Sequence, residues 1–145
     1  MKPAFYLLIL VGLLRVEPDY AQTTHAFTEG LVVGPCHQYG REAIYKDQLT
    51  YQLIHKTFVL PAEGKTFLID AQGKELKWQR VAADTAKRFR HAALSNGYLY
   101  LTYTAPKETI ALLQVAGHAG LYFNGVPRGG DANQYGYMYS PIKLK

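Results

Sequence analysis

The chain reads as an all-β protein: an antiparallel, jelly-roll-like β-sandwich with at most one short helix, preceded by a signal peptide. Three observations carry the all-β sandwich. Asn124-Gly125 follows the aromatic run Leu121-Tyr122-Phe123, and both turn residues tolerate the positive φ that a type I′ hairpin demands. Turn residues recur about every dozen positions, the spacing of a sandwich and not of βαβ units. At the C-terminus Ile142-Lys143-Leu144-Lys145 alternates apolar and charged residues, the period of a strand with one covered face.

Taken in order, Met1 to Ala21 has the layout of a secretory signal peptide. Lys2 supplies a positive start, Ala4 to Leu14 (AFYLLILVGLL) an apolar stretch, and Ala21 a small residue at the cut. The apolar stretch falls short of the roughly 20 residues a membrane-spanning helix needs. Export into a secreted or periplasmic setting is therefore expected, with no membrane attachment after cleavage. Residues 22–29 form a polar, flexible leader, and residues 30–145 are left for one sandwich domain. Gly30 to Pro35 is the first strand candidate, and Cys36 to Gln48 a loop with an extended piece at Ala43 to Tyr45. Tyr51 to His55 and Thr57 to Leu60 read as one strand bent at Lys56. Thr66 to Ile69 and Leu76 to Val81 follow as strands, separated by a turn at Asp70 to Gly73. Ala82 to Leu94 is the helix candidate, a turn or two capped by Asp84 or Thr85. Tyr98 to Tyr103 and Ile110 to Ala116 are aromatic and aliphatic strands parted by the breaker Ala105-Pro106-Lys107. The final alternation stops without a closing partner, which would leave a sheet edge bare; the domain is expected to be truncated at this strand, the N-terminal part of a longer protein.

Charge and cysteine usage narrow the function classes. Sixteen Lys and Arg stand against 11 Asp and Glu, a formal net charge of +5. Removing the leader takes Lys2, Arg15, Glu17 and Asp19, so the excess is unchanged by cleavage. Its only dense cluster is Lys87, Arg88 and Arg90, which reads as a solvated loop; nucleic acid is not an expected partner. Cys36 is the sole cysteine, so no intrachain disulfide forms and packing must hold the fold. His37 is adjacent in sequence, but neighbouring strand residues point to opposite faces, and Cys36 reads as a half-buried apolar thiol.

The chemistry-bearing motifs fail on their spacing. Gly64-Lys65-Thr66 resembles the end of a phosphate-binding loop, but Val59 stands where its first glycine belongs. Asp131, Asn133 and Gly136 partly mimic a calcium loop, yet Tyr135 replaces an oxygen ligand and Ile142 the bidentate acid. His25, His37, His55, His91 and His118 lack the short spacings of a zinc site. Ser95 and Ser140 are the only serines, and neither lies in a Gly-x-Ser-x-Gly elbow. No catalytic residue, metal ligand or cofactor site is assigned. What remains is aromatic surface: Tyr122, Tyr135, Tyr137 and Tyr139 around the loop Arg128-Gly129-Gly130-Asp131. Rings flanked by Arg, Asp and Asn suit stacking on a sugar and bonding its hydroxyls. Alternating tyrosines equally fill the core and edge of a small sandwich. The candidate ligand-binding set is Tyr122, Arg128, Asp131 and Tyr137.

Leu121 to Gly125, Gly129-Gly130, Tyr137 and Pro141 together resemble the galactose-binding-like jelly-roll domain of secreted glycoside hydrolases. Val33-Gly34-Pro35 with Tyr39-Gly40-Arg41, the strand Gly97 to Tyr100, and Ala111-Leu112-Leu113 through Gly117-His118 to Asn124 to Arg128 resemble, in the same order, the N-terminal β-rich domain of secreted bacterial α/β-hydrolases of the prolyl-oligopeptidase type. That resemblance implies that catalysis belongs to a downstream hydrolase domain, the chain itself being a non-catalytic accessory module. The alternative is a free-standing carbohydrate-binding protein with a glycan as partner.

Overall fold

A computed structural model describes residues 24–36, 47–70, 72–131 and 139–144. The signal peptide over residues 1–21 and the extended piece at 43–45 lie outside them. The described chain is all-β with one short α-helix. Its elements are β1 (Glu29–Val33), α1 (Gln48–Ile54), β2 (Thr66–Ile69), β3 (Glu75–Lys77), β4 (Gln79–Ala82), a 3-10 turn (Ala92–Asn96), β5 (Tyr98–Tyr100), β6 (Thr109–Gln114), β7 (Leu121–Phe123), β8 (Val126–Arg128) and β9 (Tyr139–Leu144). All strand pairing is antiparallel: a three-stranded sheet ordered β4-β1-β5, and the pairs β2-β3, β6-β9 and β7-β8.

The core is built on both faces of β1. Successive strand side chains point oppositely, so Val32 and Val33 enter different layers, and both are essentially buried, at 0% and 1% exposure. On one face Val33 meets Phe67, Leu76 and Trp78 from the β2-β3 pair and its continuation, with Leu31, Tyr98 and Tyr100 at the margin. On the other, Val32 packs with Val81 and Ala93, flanked by Phe89, Leu94 and Leu99. Leu99 and Gln79 lie level with Val32 on the neighbouring strands. Each buried valine contributes ~1.5–3 kcal/mol over an exposed one.

The run Leu76 to Val81, expected as one strand, divides at Trp78. The Trp78 N–H donates to the Lys65 carbonyl (3.0 Å) and its carbonyl accepts from Gly64 N–H (2.8 Å), while β3 pairs with β2 and β4 with β1. The strand thus changes sheets at a buried indole, whose ring meets Phe67 edge-on at 5.4 Å between centroids.

Two expectations fail here. Tyr51 to Leu60 is not a bent strand, because α1 occupies its first half. Asp47 caps that helix by accepting from Leu49 N–H, and the far end closes through Thr57 N–H to Gln52 carbonyl (2.9 Å) and Lys56 N–H to Leu53 carbonyl (3.2 Å). Lys56 takes the left-handed conformation, φ 56°, that this paired closure requires. Nor does Ala82 to Leu94 form a helix around an Asp84 cap. The Asp84 carboxylate accepts from the N–H groups of Ala86 and Arg88 (both 2.9 Å) and folds the segment into a tight turn, with Lys87 at φ 59°. Helical backbone begins only at Ala92, as a 3-10 turn capped by His91.

The expected Asn124-Gly125 turn joins β7 to β8, with φ values of 49° and 79°, the sign pattern of a type I′ turn. The alternating C-terminus pairs with β6 as β9, with Ile142 buried and Lys143 exposed.

Where β1 leaves the sheet it passes within backbone distance of the 3-10 turn. A Cβ on Gly97 would stand 2.2 Å from both the Ala93 and the Val33 carbonyl oxygens, backbone atoms that belong to the 3-10 turn and to β1. Gly97→Ala is therefore expected to lower stability by about 2–3 kcal/mol in denaturant unfolding. Gly120→Ala, which would meet nothing within 4 Å, should stay within ~0.5 kcal/mol of the parent. Equal midpoints for the two variants would contradict this account.

Candidate functional site

The densest set of polar side chains gathers at the N-terminus of α1, where Asp47 holds together three elements distant in sequence. One carboxylate oxygen accepts from Leu49 N–H at 3.1 Å and from the Tyr98 hydroxyl of β5. The other accepts from the Thr50 hydroxyl at 2.6 Å and from the Tyr122 hydroxyl of β7 at 2.5 Å. Thr50 and Tyr122 are also in hydrogen-bond contact with each other, and the Tyr98 oxygen accepts a second bond from Leu49 N–H at 3.3 Å. Thr50 and Tyr122 bring two protons to three oxygen contacts, so neither hydroxyl retains a donor to offer outward.

The electrostatics follow from that geometry. Partial burial by itself would raise the Asp47 pKa, but hydrogen bonds from Thr50, Tyr122, Tyr98 and Leu49 N–H outweigh it and hold the carboxyl below its ordinary value. Nearby, the Cys36 thiol is pushed up to about 12, first by burial and then by the Asp47 charge. It packs against the Val33 cluster and donates weakly to the Val33 carbonyl at 3.8 Å. A carboxylate whose lone pairs are all engaged is a poor base, and a thiol protonated at neutral pH is a poor nucleophile. His37 lies outside the described residues, and among those residues no three His, Cys, Asp or Glu side chains converge as a metal ion would need. No described helix is long and apolar enough to cross a membrane.

The sequence-derived ligand set is scattered by the same geometry. In the β7-β8 hairpin Leu121 stands opposite Arg128 and Tyr122 opposite Pro127, so alternation sends Tyr122 and Arg128 to opposite faces. Tyr122 is half-buried with its hydroxyl turned to Asp47, whereas Arg128 is exposed. Asp131 is buried at 3% exposure, and its backbone is bound to the loop before β7 through Gly117 N–H and the His118 carbonyl. Tyr137, with Tyr135, lies outside the described residues. Asp47, Thr50 and Tyr98 were not legible as site residues. The one local signal was for the cap alone, Asp47 being an N-cap residue type; nothing local links it to Tyr98 or Tyr122.

Compared with known proteins, the chain matches no family model, no curated protein and no solved structure.

Two measurements check this site. An aspartate whose folded-state pKa lies below its unfolded value adds stability that is fully present above the unfolded pKa and lost as pH falls through the folded one. Asp47→Asn is therefore expected to cost ~1–3 kcal/mol at neutral pH, and the gap to the parent should narrow below pH ~4. Stability curves that run parallel into acid would contradict the assignment. Separately, alkylation of Cys36 by iodoacetamide at mildly alkaline pH should be on the order of a hundredfold or more slower in the folded chain than in denaturant; equal rates would place the thiol in solvent.

Proposed function

We propose that this chain is a non-catalytic, exported β-sandwich module that acts by presenting a surface, as an accessory to a larger secreted hydrolase of the prolyl-oligopeptidase or glycoside-hydrolase type. The observation that carries the reading is the engagement of Asp47. The Asp47 carboxylate accepts from its own helix cap, from Thr50 and from two tyrosines on separate strands, a bracing role and not a reacting one. The neighbouring thiol is protonated at any physiological pH, which takes away the nucleophile such a carboxylate could have oriented. A sugar platform built on Tyr122 and Arg128 stands second to this reading, because the two side chains leave opposite faces of their hairpin.

The purified chain, offered chromogenic esters, peptides and glycosides, should turn over none of them above background. Turnover that disappears in Asp47→Asn or Cys36→Ser would overturn the reading. The accessory role is tested by sequencing the transcript beyond the codon for Lys145. A reading frame running into a hydrolase domain supports it, and a stop codon, with no hydrolase associated with the purified chain, counts against it.

A further inference from the structure

The two edges of the β6-β9 ribbon are built differently. Among the described residues the pair has no third strand, so within them each strand has one edge without a partner strand. A two-stranded ribbon alone is marginal in water, and exposed edges are commonly blunted by proline and lysine. β9 carries both, as Pro141 and Lys143. β6, Thr-Ile-Ala-Leu-Leu-Gln, carries no charge and no proline. It also presents apolar side chains to solvent, with Ile110 75% and Leu112 61% exposed, while Ile142 opposite Ala111 is buried.

The register shows which backbone groups face outward. Leu112 stands opposite Pro141, which has no N–H and fits a ladder where its nitrogen faces away from the partner strand. Hydrogen-bonded and non-bonded pairs alternate in an antiparallel ladder. Leu112 and Ile110 therefore turn their N–H and C=O groups to the free edge, and the same two residues expose their side chains.

We propose that this edge pairs with a second copy of the chain, β6 against β6 in antiparallel register, about a twofold axis through Ala111. Ile110 of each copy then lies opposite Leu112 of the other. The outward backbone groups of both become a hydrogen-bonded pair, and the exposed side chains become apolar cross-strand pairs. Self-complementarity supports this occupant over others. In this register Glu108 faces Gln114 and Lys107 faces Val115, so no like charges are opposed, and Glu108 already holds Lys143 at 2.5 Å on its own ribbon. The product is an isologous four-stranded sheet, β9-β6-β6-β9.

Sedimentation equilibrium of the purified chain should show a concentration-dependent dimer. Leu112→Pro removes only an N–H that faces the free edge, and is expected to yield a monomer with an unchanged circular dichroism spectrum. Ile110→Lys with Leu112→Lys in one chain should also be monomeric, since lysines would then oppose lysines. Mixing it with a chain carrying Ile110→Glu and Leu112→Glu should restore a heterodimer. A parent chain that stays monomeric at all concentrations, a dimer that survives the paired lysine substitutions, or a mixture that fails to associate would each overturn the proposal.

Discussion

Two adjacent valines, each fully buried, set the terms for the rest of the molecule. A strand whose neighbouring side chains both leave water must be covered on both faces, and in a small all-β protein it must also be flanked on both edges. Val32 and Val33 impose that on β1. β4 and β5 satisfy its edges, the aromatic group of Phe67 and Trp78 covers one face, and Ala93 with Val81 covers the other. Other features follow as consequences. The sheet change at Trp78 lets one stretch of chain supply β3 to the covering layer and β4 to the central sheet. The close approach of Gly97 to the Val33 carbonyl brings the 3-10 turn near enough for Ala93 to close the second face.

The C-terminal hairpin is held by other means. Val126 and Arg128 of β8 are exposed and the residues of β7 only half-buried, so hydrophobic burial contributes little there. The Tyr122 hydroxyl instead reaches Asp47, whose carboxylate also binds Tyr98, and the Tyr98 ring lies edge-on to Phe67 at 5.4 Å. One charged group therefore links the apolar core, the helix cap and the hairpin. Hydrogen bonds to a charge are about twice as strong as neutral ones, which allows a single carboxylate to hold elements that share little apolar contact.

What could be read from the sequence divides along the distance over which each feature is encoded. The Asn124-Gly125 hairpin and the alternating C-terminal strand are local, and both are present as expected. The helix was missed because Tyr51 to Leu60 is rich in aromatic and β-branched residues, which favour strands. Its actual determinants are the Asp47 cap and the left-handed closure at Lys56, neither of which shows in apolar periodicity. Asp84 misled in the opposite sense. Aspartate caps helices and builds tight turns with the same side-chain bond to N–H groups just ahead, and here the bond to Arg88 N–H closed a turn. The Asp47 cluster could not be read at all, since Tyr98 and Tyr122 lie 51 and 75 residues away and nothing in one sequence links them.

Surface charge bears on which partners the fold suits. A formal excess of +5 steers a polyanion only when it is gathered into a patch of one sign, and several of the described cations are met by acids. Arg80 bridges Glu29 and Glu63, Lys77 meets Glu75, and Lys143 meets Glu108. In the one dense basic loop, Arg88 and Arg90 both turn their Nε to Asp84. Exposed pairs of this kind add little stability, but they break the positive field into dipoles. The uncharged edge of β6 is the contrasting surface. There, outward-facing backbone groups and exposed aliphatic side chains coincide at Ile110 and Leu112, so strand pairing, which reads shape and hydrogen-bond register, suits this surface better than recognition by charge.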